Sequence, residues 1–158
     1  SFVYKARRPF HPERFMNALR TEWPGVLRSK GFFWLATRME WAGMYSQAGA
    51  ACRTEAAGYW WAAVKKSQWP DEQDQCEEIV KLWKKPWGDR RQEIVVIGQN
   101  VDEEMITKKF DSCLLSDEEM AYGPEGWSER FTDPFYEWRA VTEGEFPDEM
   151  DDTMILND

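Results

Sequence analysis

The apolar positions of the chain change their period several times, and each change marks a new element. In "SFVYKARR" Phe2 and Tyr4 alternate with Val3 and Lys5, the two-residue period of a strand. In "HPERFMNALRTEW" the period lengthens, since Phe15, Leu19 and Trp23 fall four apart. Pro12 suits a first helical turn there, and Pro24 with Gly25 ends the run, so the spacing predicts a helix over 11–23. "VLRSKGFFWLATR" carries Phe32, Phe33, Trp34 and Leu35 in succession, apolar on both faces as a central strand requires. "WAGMYSQAG" and "AACRTEAAGYWWAA" read as two antiparallel strands turning at Gly49.

The strongest helical pattern is "PDEQDQCEEIVKLWKKP", where Cys76, Ile79, Val80 and Trp83 share one face, acids come early and lysines late, as the helix dipole favours. After the polar turn "GDRR", "EIVVIG" predicts a buried strand. "NVDEEMITKKFDSCLL" predicts a third helix with Asp102 as N-cap and Ile106, Phe110, Cys113 and Leu114 inward. "SDEE" at 116–119 has the capping-box pattern of a short further turn. Helices inserted among mainly antiparallel strands predict an α+β fold, a two-layer sandwich with helices packed on one face of the sheet.

At 158 residues the chain suits one domain, expected over 1–139, with an acidic and flexible tail over 140–158. Its first residue is Ser, with no leader-like run behind it, which suggests a fragment or processed product of a longer protein. A hydrophobic content of 42% with ten Trp argues for a packed core, and no apolar run approaches the ~20 residues of a membrane span, so no membrane partner is expected. The cysteines Cys52, Cys76 and Cys113 are widely spaced and odd in number, which argues against a disulfide framework and a thiolate zinc site, and for a cytoplasmic setting.

The net charge of −9 hides an asymmetry. Residues 1–139 hold all 20 bases and 22 of the 29 acids, a balance of −2, while residues beyond Ala140 hold seven acids and no base. Residues 1–38 carry eight bases against two acids, which predicts a basic face. Arg7, Arg8, Arg28, Lys30 and Arg38 are its candidate interaction residues, joined by Asp89, Arg90 and Arg91 of the "GDRR" turn. In that turn Asp89 is expected to accept local backbone hydrogen bonds and to pair with Arg90 or Arg91.

Catalytic constellations are scarce. His11 is the single histidine, read as a capping or surface residue, and the chain has neither a GxxxxGK[ST] loop nor GxGxxG. The acid runs stand in first turns of helices, where they favour the dipole. No catalytic, cofactor-binding or metal-binding residue is therefore assigned. Trp34, Trp60 and Trp61 among bases admit an independent nucleic-acid-binding module as an alternative. A sheet rich in aromatics more commonly buries them, so no nucleic-acid partner is expected.

The blocks "SFVYKARRPFHPERF", "VLRSKGFFWLATR", "YSQAGAACR", "GDRRQEIVVIG" and "DSCLLSDEEM" with "DPFYEW" appear in this order. The chain resembles, over nearly all of residues 1–138, the C-terminal domain of the CobW-type GTPases, a metal-chaperone family, most closely the branch associated with zinc homeostasis. The resemblance implies an α+β domain, non-catalytic by itself, serving interaction or regulation in a GTP-dependent metal chaperone. It implies a parent whose N-terminal domain holds GTP, Mg²⁺ and zinc through a phosphate loop and a CxCC motif, neither of which is in this chain. Its implied partners are that GTPase domain and a client metalloprotein; an activator domain for a metalloenzyme such as nitrile hydratase is an alternative within the same superfamily.

Overall fold

The computed structural model describes residues 1–139; the acidic segment expected to be flexible, 140–158, lies outside the described residues. Five strands, β1 (Phe2–Ala6), β2 (Val26–Phe33), β3 (Trp41–Ala48), β4 (Ala51–Tyr59) and β5 (Gln92–Gly98), form one sheet in the order β1-β5-β2-β3-β4. All four pairings are antiparallel, and β2 is the central strand, but its outer face carries Arg28 and Lys30, and the apolar run continues past its end at Phe33 into Trp34 and Leu35. The four helices are α1 (Pro12–Leu19), α2 (Gln73–Lys81), α3 (Glu103–Asp111) and α4 (Asp117–Arg130). The fold is an α+β sandwich.

Registers place Tyr4, Ile94, Gly31, Tyr45 and Thr54 in one row across the sheet. That row faces Phe15 of α1 and Ile106 and Phe110 of α3, which complete the principal core with Phe33 and Val96. Phe10 and Phe15 stack with ring centres 4.4 Å apart, and Tyr4 and Phe110 at 4.7 Å. Gly43 makes room for this layer, since a Cβ there would meet the Phe33 ring at 2.5 Å. A second core gathers Ala42 of β3 with Trp34, Trp60, Leu115 and Trp127, which lie outside the strands.

Several elements differ from their sequence expectation. α1 stops at Leu19 rather than Trp23, because the N–H groups of Arg20 and Thr21 turn back to Asn17 and Ala18, and the Trp23 indole N–H donates to the Ala18 carbonyl at 3.2 Å. Trp23 still reaches the core, 4.6 Å from the Phe110 ring. α2 is shorter than its pattern, with Ile79 buried, Cys76 only half-buried and Val80 62% exposed. It meets the rest of the molecule along the Ile79 line, on the side of Phe32 and Ala57. β5 is buried on one face only, since Ile94 and Val96 are inside while Val95 and Ile97 are exposed. The turn expected at 116–119 has its capping box, formed by Ser116 and Glu119, but continues to Arg130 through a break at Gly123 (φ 72°).

Candidate functional site

The stretch after β1 is held by backbone bonds on both sides. The Phe10 N–H donates to the Trp34 carbonyl at 2.8 Å, the Ala36 N–H to Phe10 at 3.0 Å, and the Leu115 N–H to Pro9 at 3.1 Å. Gln92, fully buried, completes the seam: its Oε1 accepts the Trp34 N–H, and its Nε2 donates to the carbonyls of Trp34 and Arg8, each at 2.9 Å. Arg7 and Arg8 therefore leave the sheet in a fixed direction. Nothing in the sequence singles out Gln92, because its partners lie 58 and 84 residues away.

Opposite them stands the chain after α2. Lys84 and Gly88 exchange backbone hydrogen bonds, both 2.9 Å, closing a tight loop that leaves Lys84 and Lys85 exposed. Gly88 sits at φ 71°, and a Cβ on it would come within 2.6 Å of the Ala62 methyl, so this corner wants glycine. The Arg7 guanidinium spans the gap, donating to the carbonyls of Gly88 at 3.1 Å and Arg90 at 3.4 Å. Arg90 donates to the carbonyls of Met39 at 2.7 Å and Trp87 at 3.3 Å. Burial lowers the pKa of both guanidinium groups from its ordinary value, yet an arginine stays protonated across the working range.

Between these elements lies a cleft of about 440 Å³. Arg7, Arg8, Lys84, Lys85 and Arg90 line it, over apolar surface from Pro86, Trp87, Leu114 and Met120. Trp87 is seated in the second core, 5.5 Å from the Trp127 ring. Among the described residues, Arg8 pairs with Asp117 at 2.5 Å, itself 91% exposed. Arg8 also donates to the Leu115 carbonyl at 3.0 Å. Asp89 also acts on Arg7 and Arg90 from a distance, as do Glu93 on Arg7 and Glu40 on Arg90, but the residues that line the cleft itself are cationic and apolar, with no carboxylate among them.

The expected basic face is not continuous. Arg28 and Lys30 lie on the open face of the sheet, beside exposed Val3, Val95 and Ile97. Arg38 is elsewhere again: its Nε and Nη2 donate to the two Asp133 oxygens at 2.8 and 3.1 Å, and Nη2 to the Phe135 carbonyl at 2.7 Å. Its guanidinium also lies 4.3 Å from the Trp138 ring, so it clamps the last described residues to the core. The alternation of β2 points Arg28 and Lys30 away from the helices, and the chain has left the sheet before Arg38.

The "GDRR" turn is built differently from the local pairing expected. Asp89 is 4% exposed, and its carboxylate accepts the backbone N–H groups of Trp61 and Ala62, each at 2.9 Å, at the start of a short 3-10 turn. Arg90 faces carbonyls, while Arg91 donates to the Asp89 carbonyl at 2.9 Å and lies 3.4 Å from Glu93. His11 caps α1, its Nδ1 accepting the N–H groups of Glu13 and Arg14 at 3.2 and 3.4 Å. Burial, with Arg14 nearby, lowers its pKa and keeps the acceptor nitrogen unprotonated. A second concavity of about 530 Å³ lies between α2 and the open sheet face; it is lined chiefly by apolar groups, among them Phe32, Ala57, Trp61 and Ile79.

Among the described residues no group of three His, Cys, Asp or Glu side chains is arranged to hold a metal ion, and no helix is long and apolar enough to cross a membrane. Cys113 is buried, with its thiol pKa pushed up to about 11 by that burial.

Residues 1–114 match the family described as the cobalamin synthesis protein CobW C-terminal domain. A zinc-regulated GTPase metalloprotein activator of Dictyostelium discoideum is 44% identical over 131 residues, which are 80% of this chain and 27% of that protein. A zinc chaperone of Mycobacterium tuberculosis is 35% identical over 146 residues, 92% of this chain and 36% of that protein. The chain thus spans roughly a third of the length of these relatives. The Zn(II)-bound YjiA GTPase of E. coli aligns over 72% of this chain and 29% of its own, at 16% identity and a TM-score of 0.47.

Proposed function

The chain belongs to the CobW C-terminal domain family, and from that premise we propose that it is the interaction and regulatory domain of a GTP-dependent zinc chaperone. In this reading the chain does no chemistry itself. GTP, Mg²⁺ and zinc belong to an N-terminal GTPase domain of the same parent, in the cytoplasm, and this domain docks that neighbour or a client metalloprotein. The names of the relatives, an activator of metalloproteins and a zinc chaperone, support the setting. The observation that carries the docking role is the cleft, where five cationic side chains surround one cavity.

A positive concavity draws an acidic partner by long-range attraction and so acts chiefly on the association rate. Lys84 and Lys85 are the cleanest probes, because both are exposed, whereas Arg7 and Arg8 also hold backbone carbonyls. Reversing both, Lys84→Glu with Lys85→Glu, is expected to slow association with the GTPase portion of the parent about tenfold at low salt, with little effect at high salt. The thermal midpoint should stay within a few degrees. Unchanged association at low ionic strength would remove the docking role from this cleft.

A further inference from the structure

Every side chain that lines the basic cleft is cationic or apolar, so its walls offer hydrogen-bond donors and, apart from the weak thioether of Met120, no acceptor. The carbonyls at its margin are already engaged: those of Gly88 and Arg90 accept from Arg7, that of Trp87 from Arg90, and that of Leu115 from Arg8. A fitting ligand therefore brings acceptors and apolar surface, and keeps its own donors in water. A bare phosphate would meet the cations but leave Trp87, Leu114 and Met120 wet. A nucleotide would add a ring for Trp87 but leave the N–H groups of its base without partners. A wholly apolar peptide would cover the floor but strip water from the cations without replacing it.

We infer that the cleft captures an extended acidic segment of a partner protein, whose carboxylates meet the cationic walls while an apolar side chain between them covers the floor. This deepens the reading of the cleft as a docking site and rests on it. The cations serve in two ways. Arg7 and Arg90 are held by carbonyls, so their direction is set before a partner arrives and little side-chain freedom is lost on binding. Lys84 and Lys85 stand exposed on the loop closed by the Lys84 and Gly88 backbone bonds, and supply long-range attraction.

Arg8 brings a competitor with it. It pairs with Asp117, but the two side chains are 41% and 91% exposed, and a surface pair of this kind contributes little. An incoming carboxylate can take the place of Asp117 on Arg8. Asp117 is also only the first of three acids in the first turn of α4, so Asn in its place leaves Glu118 and Glu119 to complement the helix dipole.

The test uses the full chain and two fluorescent peptides of equal charge, one of three Ser-Glu-Leu-Asp repeats and one of three Ser-Glu-Ser-Asp repeats, read by anisotropy at low salt. The Leu-bearing peptide is expected to bind about tenfold more tightly, the effect of burying one Leu side chain. Lys84→Glu with Lys85→Glu should abolish binding of both peptides, and Met120→Gln should narrow the gap between them. Asp117→Asn should tighten both several-fold; no tightening overturns the competing role of Asp117. Equal binding of the two peptides, no binding of either, or tighter binding of a twelve-nucleotide oligothymidine overturns the capture of an acidic segment. The docking reading is judged separately: it survives any of these results if reversing Lys84 and Lys85 still slows association with the GTPase portion of the parent, and falls if that association is unchanged.

Discussion

Arg14 and Arg38 direct their guanidinium groups at carboxylates, while Arg7 and Arg90 direct theirs at backbone carbonyls. The first pair is spent on the fold: Arg14 lies 2.6 Å from Glu119 and joins α1 to α4, and Arg38 with Asp133 fastens the chain after α4. Each such pair is neutral as a unit and projects little field. The second pair is equally fixed in position, but its hydrogen-bond partners are uncharged carbonyls, and carboxylates act on it only from a distance, Asp89 on both, Glu93 on Arg7 and Glu40 on Arg90. Identical side chains thus divide into ion-paired fasteners and carbonyl-held groups according to what stands across from them, and the docking role proposed above falls to the second kind. Position in the basic first third of the sequence does not decide it.

The comparison is broken most forcefully at the clamp. Asp133→Ala leaves the Arg38 guanidinium, whose side chain is 13% exposed, without its carboxylate, and removing one partner of a largely buried pair is expected to cost about 3 kcal/mol. Urea unfolding should register that loss while association with the GTPase portion of the parent, measured where the domain is folded, stays the same. Arg7→Ala should do the reverse in proportion: about 1–2 kcal/mol of stability from two carbonyl bonds, and a several-fold loss of binding. If Asp133→Ala weakened binding as much as Arg7→Ala did, the division between fasteners and docking groups would be wrong.

Acid should separate the two groups more gently. The hydrogen bond from Arg14 holds the Glu119 carboxyl down to about 2, below the ordinary carboxylate value of ~4.3, so its contribution is complete above that ordinary value and fades as pH falls toward 2. His11 has a lowered pKa too, so its cap contributes fully above ~6.5 and is lost as pH falls through the lowered value. Thermal midpoints taken from neutral pH downward should therefore fall in two stages, and replacing His11 by Asn, which caps without titrating, should remove the upper one. The smallest expected effect is none at all: a fluorescent GTP analogue titrated into the chain should give a flat curve, since no phosphate loop is present to cradle it. Saturable micromolar binding would move the nucleotide site into this domain.

Much of the fold is legible in the chain because it depends on neighbours in sequence. The run "GFFWL" announces a central strand, although Trp34 and Leu35 fall past its end and its outer face is partly basic; Asp102 and Ser116 announce helix starts, and Gly49 announces the turn between β3 and β4. Helix lengths are less legible. The pattern around Val80 and Trp83 promises more helix than forms, because a period shows where a helix is allowed, while its ends depend on what caps it and what it packs against.

The candidate site is legible by residue type and not by grouping. Arg7, Arg8 and Arg90 are visible as basic residues, yet Lys84 and Lys85 look like the favourable end of a helix, and Gln92 looks like an ordinary strand residue. The sequence by itself determined the family, the α+β class, the order of elements and the surplus of bases in its first third. Only the tertiary structure decided which arginine meets a carboxylate and which meets a carbonyl, because most of those encounters join residues 51 to 107 positions apart. They are set by how the cores close, and no period along the chain records them.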